Sequence, residues 1–549
     1  MTRAGVTVVT ANQSGPALAS VAWVLPVALV AAAPAAAGEY DLHGYVREYL
    51  SLNLEDKPEP NAHGEPIGGA GQLSMARTVV KLDADAKFDS FYVKAVGRFS
   101  RENRTPYLEE LENAARAKPS GGGSIVKNEY NEESLRELYV GFDVAPAAHL
   151  VLGKQQVAWG ESDFFRATDI VNGFDLRWRA IERENEEIRS PLWLANLTLE
   201  VPHTEGQLQF IFRPGWDRAR DVITQRDLFG GRDAGAGYRG VNSLGSAPYN
   251  FHNPAGDTDD ANYGVRWTHN LFDHALDYSL LYYRGLNHEP IVNSSAIEAS
   301  TITADNPFGT AARPIGAVPK NGISETIFPK IDIFGLTFTS DISSQALVLR
   351  GEIAYMPNQP YNFGTKFNLA LPGVFLGGPP GSVVPLGNVP GLGGIIEKAT
   401  LRPMIGFDKT IRWTQGVLGT QRPSLWTVEM FDQWILNYRR RDDIVEIFGY
   451  GASVREHQPI FTTTLTLNYD HDHINPSLAL LYDLNFGDAI LIPAVDYKFG
   501  DHWRLYAEAT INLPAHGVKS RQTEIENDTH ILGLGGNNSQ LLFRATYLF

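Results

Sequence analysis

The chain has no cysteine in 549 residues. Disulfides, thiolate metal centres and thiol catalysis are therefore excluded. Positive charge is also scarce: 47 Lys and Arg stand against 63 Asp and Glu, a formal net charge of -16. Nucleic-acid phosphates need clustered Lys and Arg, so this balance argues against such a partner. After residue 37 there is no apolar run of the roughly 20 residues a transmembrane helix needs. Also missing are a G-x-S-x-G element, a zincin helix and a phosphate-cradling Gly loop. No catalytic set, cofactor or metal is assigned, and the chain is read as a non-enzyme.

What is present starts with an export signal. "ALASVAWVLPVALVAAAPAAAGEY" is an apolar run ending in small residues. Ala35-Ala36-Ala37 fits an A-x-A cleavage site, so residues 1–37 are expected to be a signal peptide and 38–549 the mature barrel. Arg3 is the one positive charge ahead of the run, and a retained anchor is the competing reading. Pro26, Pro34 and the small residues at its end argue against an anchor.

The mature sequence is built from segments of about ten residues that alternate apolar and polar, the period of a strand with two unlike faces. In "WRLYAEATINL", Trp503, Leu505, Ala507, Ala509 and Ile511 share one face, while Arg504, Glu508, Thr510 and Asn512 share the other. "FTTTLTLNY", "LALLYDLNF", "LIPAVDYKF" and "YDLHGYVREYLSLNL" repeat the pattern. A sandwich would alternate too, so the connections decide. Short links at Asp89-Ser90, 145–148, 269–274 and 500–502 interleave with long ones near 55–70, 101–133, 159–190, 214–260, 286–328, 358–397, 437–456 and 513–537. Segregated loop lengths predict an all-β, antiparallel transmembrane barrel with short periplasmic turns and long extracellular loops. The count is about 18 strands, with 16 the alternative. A sheet in a bilayer must close on itself, so its lipid face turns apolar and its lumen face polar.

The C-terminus fits that reading. In "LLFRATYLF", Leu541, Phe543, Ala545, Tyr547 and Phe549 lie on one face of a closing strand. Phe543, Tyr547 and the terminal Phe549 resemble the signature read by the barrel-assembly machinery of outer membranes.

The most distinctive text is "LVLGKQQVAWGESDFFRATDIVNGFDLRW", followed by "EEIRSPLW". It resembles a Gram-negative family of porin-like outer-membrane proteins of unknown function. That family carries a G-[KR]-Q-x-x-x-W-G-E element, a D-x-[IV]-N-x-x-D-L element and a P-[LM]-[WL] return strand. The resemblance implies a barrel in the cell outer membrane that moves hydrophobic compounds. Trp159, Glu161, Asp163, Arg166, Asp169, Asn172, Asp175 and Arg177 stand in this segment, followed by a charged, helix-like "RWRAIERENEEIR". One reading is an inward loop that constricts a pore with opposed acids and bases. The other is an outer loop stapled by its own ion pairs.

A second stretch, Phe367 to Ile396, carries no charge and is rich in Gly and Pro. Leu371, Val374 and Phe375 are candidates for a greasy surface on the solute path; a lid packed on neighbouring loops is the alternative. The loop 286–328 is similarly poor in charge. Asp257, Asp259 and Asp260 lack the full ligand pattern of a Ca²⁺ loop and read as a solvated acidic loop. "YDHDHIN" reads as a tight periplasmic turn rather than a zinc site.

The expected function is a passive outer-membrane channel for hydrophobic or amphipathic small molecules. A general or exopolysaccharide-export porin is the alternative, with an outer-membrane hydrolase further behind. Mature sequence enters "EYDLHGYV" at once, which argues against an energy-coupling plug domain before the first strand. Expected partners are outer-membrane lipid and lipopolysaccharide, the assembly machinery, a small hydrophobic solute and a periplasmic carrier.

Overall fold

A computed structural model describes residues 38–549 apart from 61–65, 117–129, 180, 183, 203, 216–224, 227–231, 233–260, 273–274, 288–290, 294–324, 328, 366–367, 373–381, 389–390, 392, 446–452, 516–529 and 537. The expected signal peptide, the acidic loop with Asp257, Asp259 and Asp260, and Val374 and Phe375 lie outside the described residues.

The alternating segments form one closed, antiparallel sheet of eighteen strands. In chain order, β1 is Glu39–Asn53, β2 Leu73–Lys87, β3 Phe91–Glu102, β4 Glu132–Ala145, β5 Ala148–Gln155 and β6 Leu192–Val201. Next come β7 Gly206–Arg213, β8 Asn262–Leu271, β9 Leu276–Leu286, β10 Lys330–Ile342, β11 Leu347–Phe363 and β12 Gly394–Ile411. The last six are β13 Ser424–Phe431, continued by Trp434–Ile435, then β14 Ile460–Thr466, β15 Ile474–Asp483, β16 Ala489–Phe499, β17 Trp503–Leu513 and β18 Gln540–Leu548. The ring closes where β18 pairs with β1, from Tyr45↔Leu548 to Asn53↔Gln540. Eighteen is thus the strand number, and the alternative of sixteen falls away.

Connections segregate as expected, with two departures. On the loop side β15 and β16 are joined by 484–488 alone. On the turn side β12 and β13 are joined by 412–423, which holds a short helix, Trp413–Val417. The expected periplasmic turn at Asp470, His471 and Asp472 is on the turn side, and all three adopt positive φ.

Each strand shows the two faces its sequence encodes. On β1, Leu42, Val46 and Leu50 are exposed on the outside, while Tyr45, Arg47, Tyr49 and Ser51 are buried within. Phe210 and Phe212, Leu478 and Tyr482, Leu505, and Phe543 and Tyr547 continue the apolar exterior. An apolar belt around a closed sheet is the surface a bilayer selects. The inner face differs from a plain water-filled lumen. Its loop-side half is packed with apolar clusters, one of them joining Trp159, Ile170, Leu281, Tyr283, Ile333, Met356 and Phe431.

The terminal Phe549 completes the wall. Its carbonyl accepts from Gly44 N at 2.9 Å and its N–H donates to the Gly44 carbonyl at 3.1 Å. A Cβ at Gly44 would strike the Lys81 carbonyl and sit 3.1 Å from the Phe549 ring. The closing seam therefore needs glycine on β1.

Candidate pore constriction

The segment 156–191, between β5 and β6, folds into the barrel rather than away from it. Asn172 ties its two ends together. The Asn172 Oδ1 accepts from Val157 N at 2.8 Å, and its Nδ2 donates to the Ser190 carbonyl at 2.8 Å. From this neck the chain reaches the wall on both sides.

One half docks on β7 to β13. Trp159 is fully buried; its Nε1 donates to Gln209 Oε1 on β7 at 2.8 Å, and its ring meets Tyr283 of β9 edge-on at 6.0 Å. Glu352 of β11 is a buried anchor. Its carboxylate accepts from Glu161 N, from Thr168 N at 2.8 Å and from Thr168 Oγ1 at 2.7 Å. Glu429 of β13 accepts from Asp163 N at 3.0 Å. Arg350 of β11 donates to the Glu161 carbonyl and sits 3.4 Å from Asp163, 3.0 Å from Asp408 and 3.4 Å from Glu429. Phe165 stacks on Phe431 at 5.6 Å. Burial and the neighbouring Glu352 charge push the Glu161 carboxyl above its ordinary range, with Arg266 and Arg350 opposing them.

The other half docks on β17, β18 and β1 to β4. Arg179 pairs with Glu508 of β17 and, at 2.9 Å, with Glu182. Glu184 meets Arg47 at 3.0 Å and Arg544 at 2.6 Å. Glu187 accepts from Tyr45 Oη at 2.8 Å and lies 3.4 Å from Arg98 and 3.8 Å from Lys81. Arg136 donates to the carbonyls of Glu186 and Arg189 at 3.1 and 2.6 Å. Trp178 packs edge-on against Tyr49 at 5.5 Å.

The remaining expected residues hold the segment's own shape. Asp169 pairs with Arg189 at 2.5 Å. Arg166 stacks over the Phe174 ring and donates to Asn185 Oδ1 at 2.8 Å. Arg177 clasps Asp175 with two bonds of 2.8 Å. Burial works to raise the Asp175 carboxyl, and the Arg177 charge outweighs it and holds the group low. The expected helix over "RWRAIERENEEIR" is corrected: one turn forms, Asn185–Ile188. Arg179, Glu184 and Glu187 reach the barrel wall, while Arg177 and Arg189 pair with Asp175 and Asp169 within the segment, so these contacts do not run along one helix face.

Further loops cover this plug from the loop side. Gln225–Arg226 pairs in parallel with Asp175–Leu176. The helix Pro106–Arg116 sends Tyr107, Leu108 and Leu111 into a cluster with Phe174, Trp178 and Ile188. Arg232, fully buried, grips the Glu102 carboxylate with bonds of 2.8 and 2.7 Å. Below, on the turn side, the lumen opens into a polar hollow of about 660 Å³ lined in part by Thr410, Thr466, Asn475, Asp496 and Lys498.

Sequence reading missed the wall side of this arrangement: Arg350, Glu352, Glu429, Arg47 and Arg98. Each was visible as a charge on the polar face of a strand, as in "LVLRGEIAY". Leu371 lies in a hairpin of Asn368–Pro372 with Val383–Asn388, away from the segment 156–191 in the chain. Among the described residues no group of three or more His, Asp or Glu is placed to hold a metal ion.

Residues 70–490 match the model of the family described as "Protein of unknown function (DUF1302)", and the chain belongs to that family. No curated protein matches it. Among solved structures it is similar to OccAB3 of Acinetobacter baumannii, at 9% identity and TM-score 0.42, over 93% of this chain and 99% of that one. It is likewise similar to a BenF-like porin from Pseudomonas fluorescens Pf-5, at 7% identity and TM-score 0.42, over 93% and 98%. For OpdK of Pseudomonas aeruginosa the values are 8% and 0.40, over 93% and 98%. The fold assignment rests on the strand register itself.

Proposed function

We propose that this chain is a passive outer-membrane channel for hydrophobic or amphipathic small molecules, with 156–191 as its constriction and movable barrier. One observation carries the reading. Where the segment packs on the wall, apolar side chains from both meet in one buried cluster, including Trp159, Phe165, Ile170, Tyr283, Met356 and Phe431. A path for ions or sugars needs polar groups to replace water around the solute. This path offers apolar surface, which favours solutes that gain from leaving water. Solute would be gathered on the charge-poor loops near Leu371, Val374 and Phe375. It would pass Trp159, Glu161, Asp163, Arg166, Asp169, Asn172 and Arg177 as the segment yields, and descend to the polar hollow.

The test is uptake of an apolar dye and of a sugar into liposomes holding the folded protein, with intact chain and with 367–396 replaced by a short Gly-Ser link. Dye uptake above empty liposomes, little sugar uptake and a fall in dye uptake on loop replacement are expected. Equal, large fluxes of both solutes in the intact chain would make it a general porin and end this reading.

A further inference from the structure

Residues 412–423, between β12 and β13, form the longest connection on the turn side. The stretch "RWTQGVLGTQRP" exceeds what a hairpin needs, and it folds upon itself. Its short helix, Trp413–Val417, is pegged by Thr414. That side chain is fully buried; its hydroxyl donates to the Ile411 carbonyl at 3.2 Å and accepts from Ser424 Oγ at 2.9 Å and Thr420 Oγ1 at 3.2 Å. Gly419, at φ 70°, turns the chain back toward β13.

The helix lies against the outside of the wall. Ile411 and Ser424 are register mates, two residues down their strands from the outward pair Lys409 and Trp426. Both are buried at a strand end, because the helix covers them. Tyr469, bridged to the outward Ile474 of β15, donates its hydroxyl to the Leu418 carbonyl at 3.1 Å. Of this connection, Arg422 and Pro423 line the hollow inside the wall, and the helix does not.

What the helix presents is apolar and cationic. Trp413, Val417 and Leu418 are all exposed, Val417 to 72%. Trp413 and Val417 stand one helical turn apart, on one face. Above them on the same outer wall, Trp426, Met430 and Ile405 are exposed members of the apolar belt, and Phe407 meets Trp426 edge-on at 5.5 Å. Phe272, Phe499 and Trp503 are exposed at other turn-side strand ends, as a girdle at the membrane edge requires. Arg412 and Lys409 flank the helix. Arg412 is exposed and has no acidic partner among the described residues; the Lys409 ammonium donates to the Gln345 carbonyl and meets no carboxylate among them.

We propose that residues 412–418 are a foot seated in the phospholipid leaflet on the turn side. Trp413, Val417 and Leu418 enter the boundary between headgroups and acyl chains, and Arg412 and Lys409 meet lipid phosphates. Position decides between lipid and a protein partner. The apolar face stands directly beneath the belt and on the lipid side of the wall, so the surface that bathes the belt reaches it too. Exposed apolar area in water has a cost that this seat removes. A tryptophan with arginine and lysine at a membrane edge has its ring in the headgroup layer and its cationic neighbours among anions. The inference rests on the closed wall and not on what passes through it.

The chain lacks cysteine, so a single label reports one position. Val417→Cys and, in the exposed turn between β16 and β17, Asp501→Cys would each carry a small fluorophore on the folded protein. Both would be placed in nanodiscs of phosphatidylethanolamine and phosphatidylglycerol. The label at 417 should lose most of its emission to a lipid spin-labelled near the headgroup and little to iodide in the water. The label at 501 should show the reverse. Arg412→Glu should raise iodide quenching at 417, and more so as phosphatidylglycerol is increased; no change would remove the phosphate contact from the proposal. Heat-modifiable gel mobility checks that each variant is folded. Iodide quenching at 417 equal to that at 501 would put the helix in water and overturn the proposal. A label at 417 shielded from both quenchers would overturn it too, because a protein would then cover this face.

Discussion

Replacing Glu352 by alanine should open the barrel. This buried carboxylate holds the N–H groups of Glu161 and Thr168 and the Thr168 hydroxyl. Hydrogen bonds to a charged group contribute about 1.5–3 kcal/mol each, and a buried donor left without a partner costs about 1–3 kcal/mol. The three bonds are not additive, because water entering the site satisfies some donors, so roughly 3–6 kcal/mol of docking is at stake. At 1.4 kcal/mol per tenfold, the closed-to-open ratio falls by roughly two to four powers of ten. Glu352→Gln keeps an acceptor and should lose less. The assay is single-channel conductance in planar bilayers, beside tryptic cleavage after Arg166, which stands between the two anchored residues Glu161 and Thr168. Rising conductance and new cleavage, graded Ala over Gln, are expected. A folded Glu352→Ala barrel with wild-type conductance and cleavage would refute the idea that this anchor keeps the segment in place.

Two further outcomes follow from the opposite wall and the seam. Burial alone would raise the Glu187 carboxyl, but Arg98, Arg47 and Lys81 outweigh it and hold the group at about 2 against an ordinary 4.5. A lowered folded value means its contribution is complete above 4.5 and is lost as pH falls through about 2. The docked β1–β4 half should therefore stay shielded from a broad-range protease at pH 5 and loosen progressively toward pH 2, and Glu187→Gln should flatten that dependence. At the seam, Gly44→Val should lower the heat-modifiable, folded fraction, because its side chain meets the Lys81 carbonyl and the Phe549 ring. Phe549→Gly should lower the folded fraction too, by removing the ring that covers this glycine.

The barrel was legible in the sequence because its determinants are local. Alternation in "WRLYAEATINL" states which residues meet lipid, and loop lengths state which end is which. Trp159 and Asn172 could be singled out for a similar reason: each stands in a short, dense run of unusual residues. Their partners could not be found that way. Thr168 meets Glu352 across 184 positions, and Asp163 meets Glu429 across 266. Nothing in a strand such as "SLWTVEMF" says whether its glutamate faces open water or grips a backbone N–H. The helix expected over 177–189 failed for the same cause. Its charge spacing suits i,i+4 pairs, but wall arginines outbid them with better-buried contacts.

The two docking faces are unequal, and the difference gives the plug a direction of release. On the β1–β4 side, Glu187 and Glu132 lie among Arg98 and Arg136, all four little exposed. Of these pairs only Glu187 with Arg98 joins segment to wall, and breaking it takes a carboxylate from a nearly buried arginine, at a cost of about 3–5 kcal/mol. On the β11–β13 side, the Asp163 carboxylate is 52% exposed and Arg350 shares several carboxylates. Water can replace Asp163 there, and Arg350 keeps Asp408 and Glu429 after the segment leaves. Glu352 and Glu429 hold backbone N–H groups that hydrate readily once exposed. The segment should therefore hinge open from β11–β13 while staying fixed to β1–β4. That movement would clear a path along Tyr283, Met356 and Phe431, the apolar wall that Trp159 and Phe165 cover when closed. A spin-label pair reporting Ser162 against β13 should then broaden on adding an apolar solute, while a pair reporting Glu186 against β4 should not.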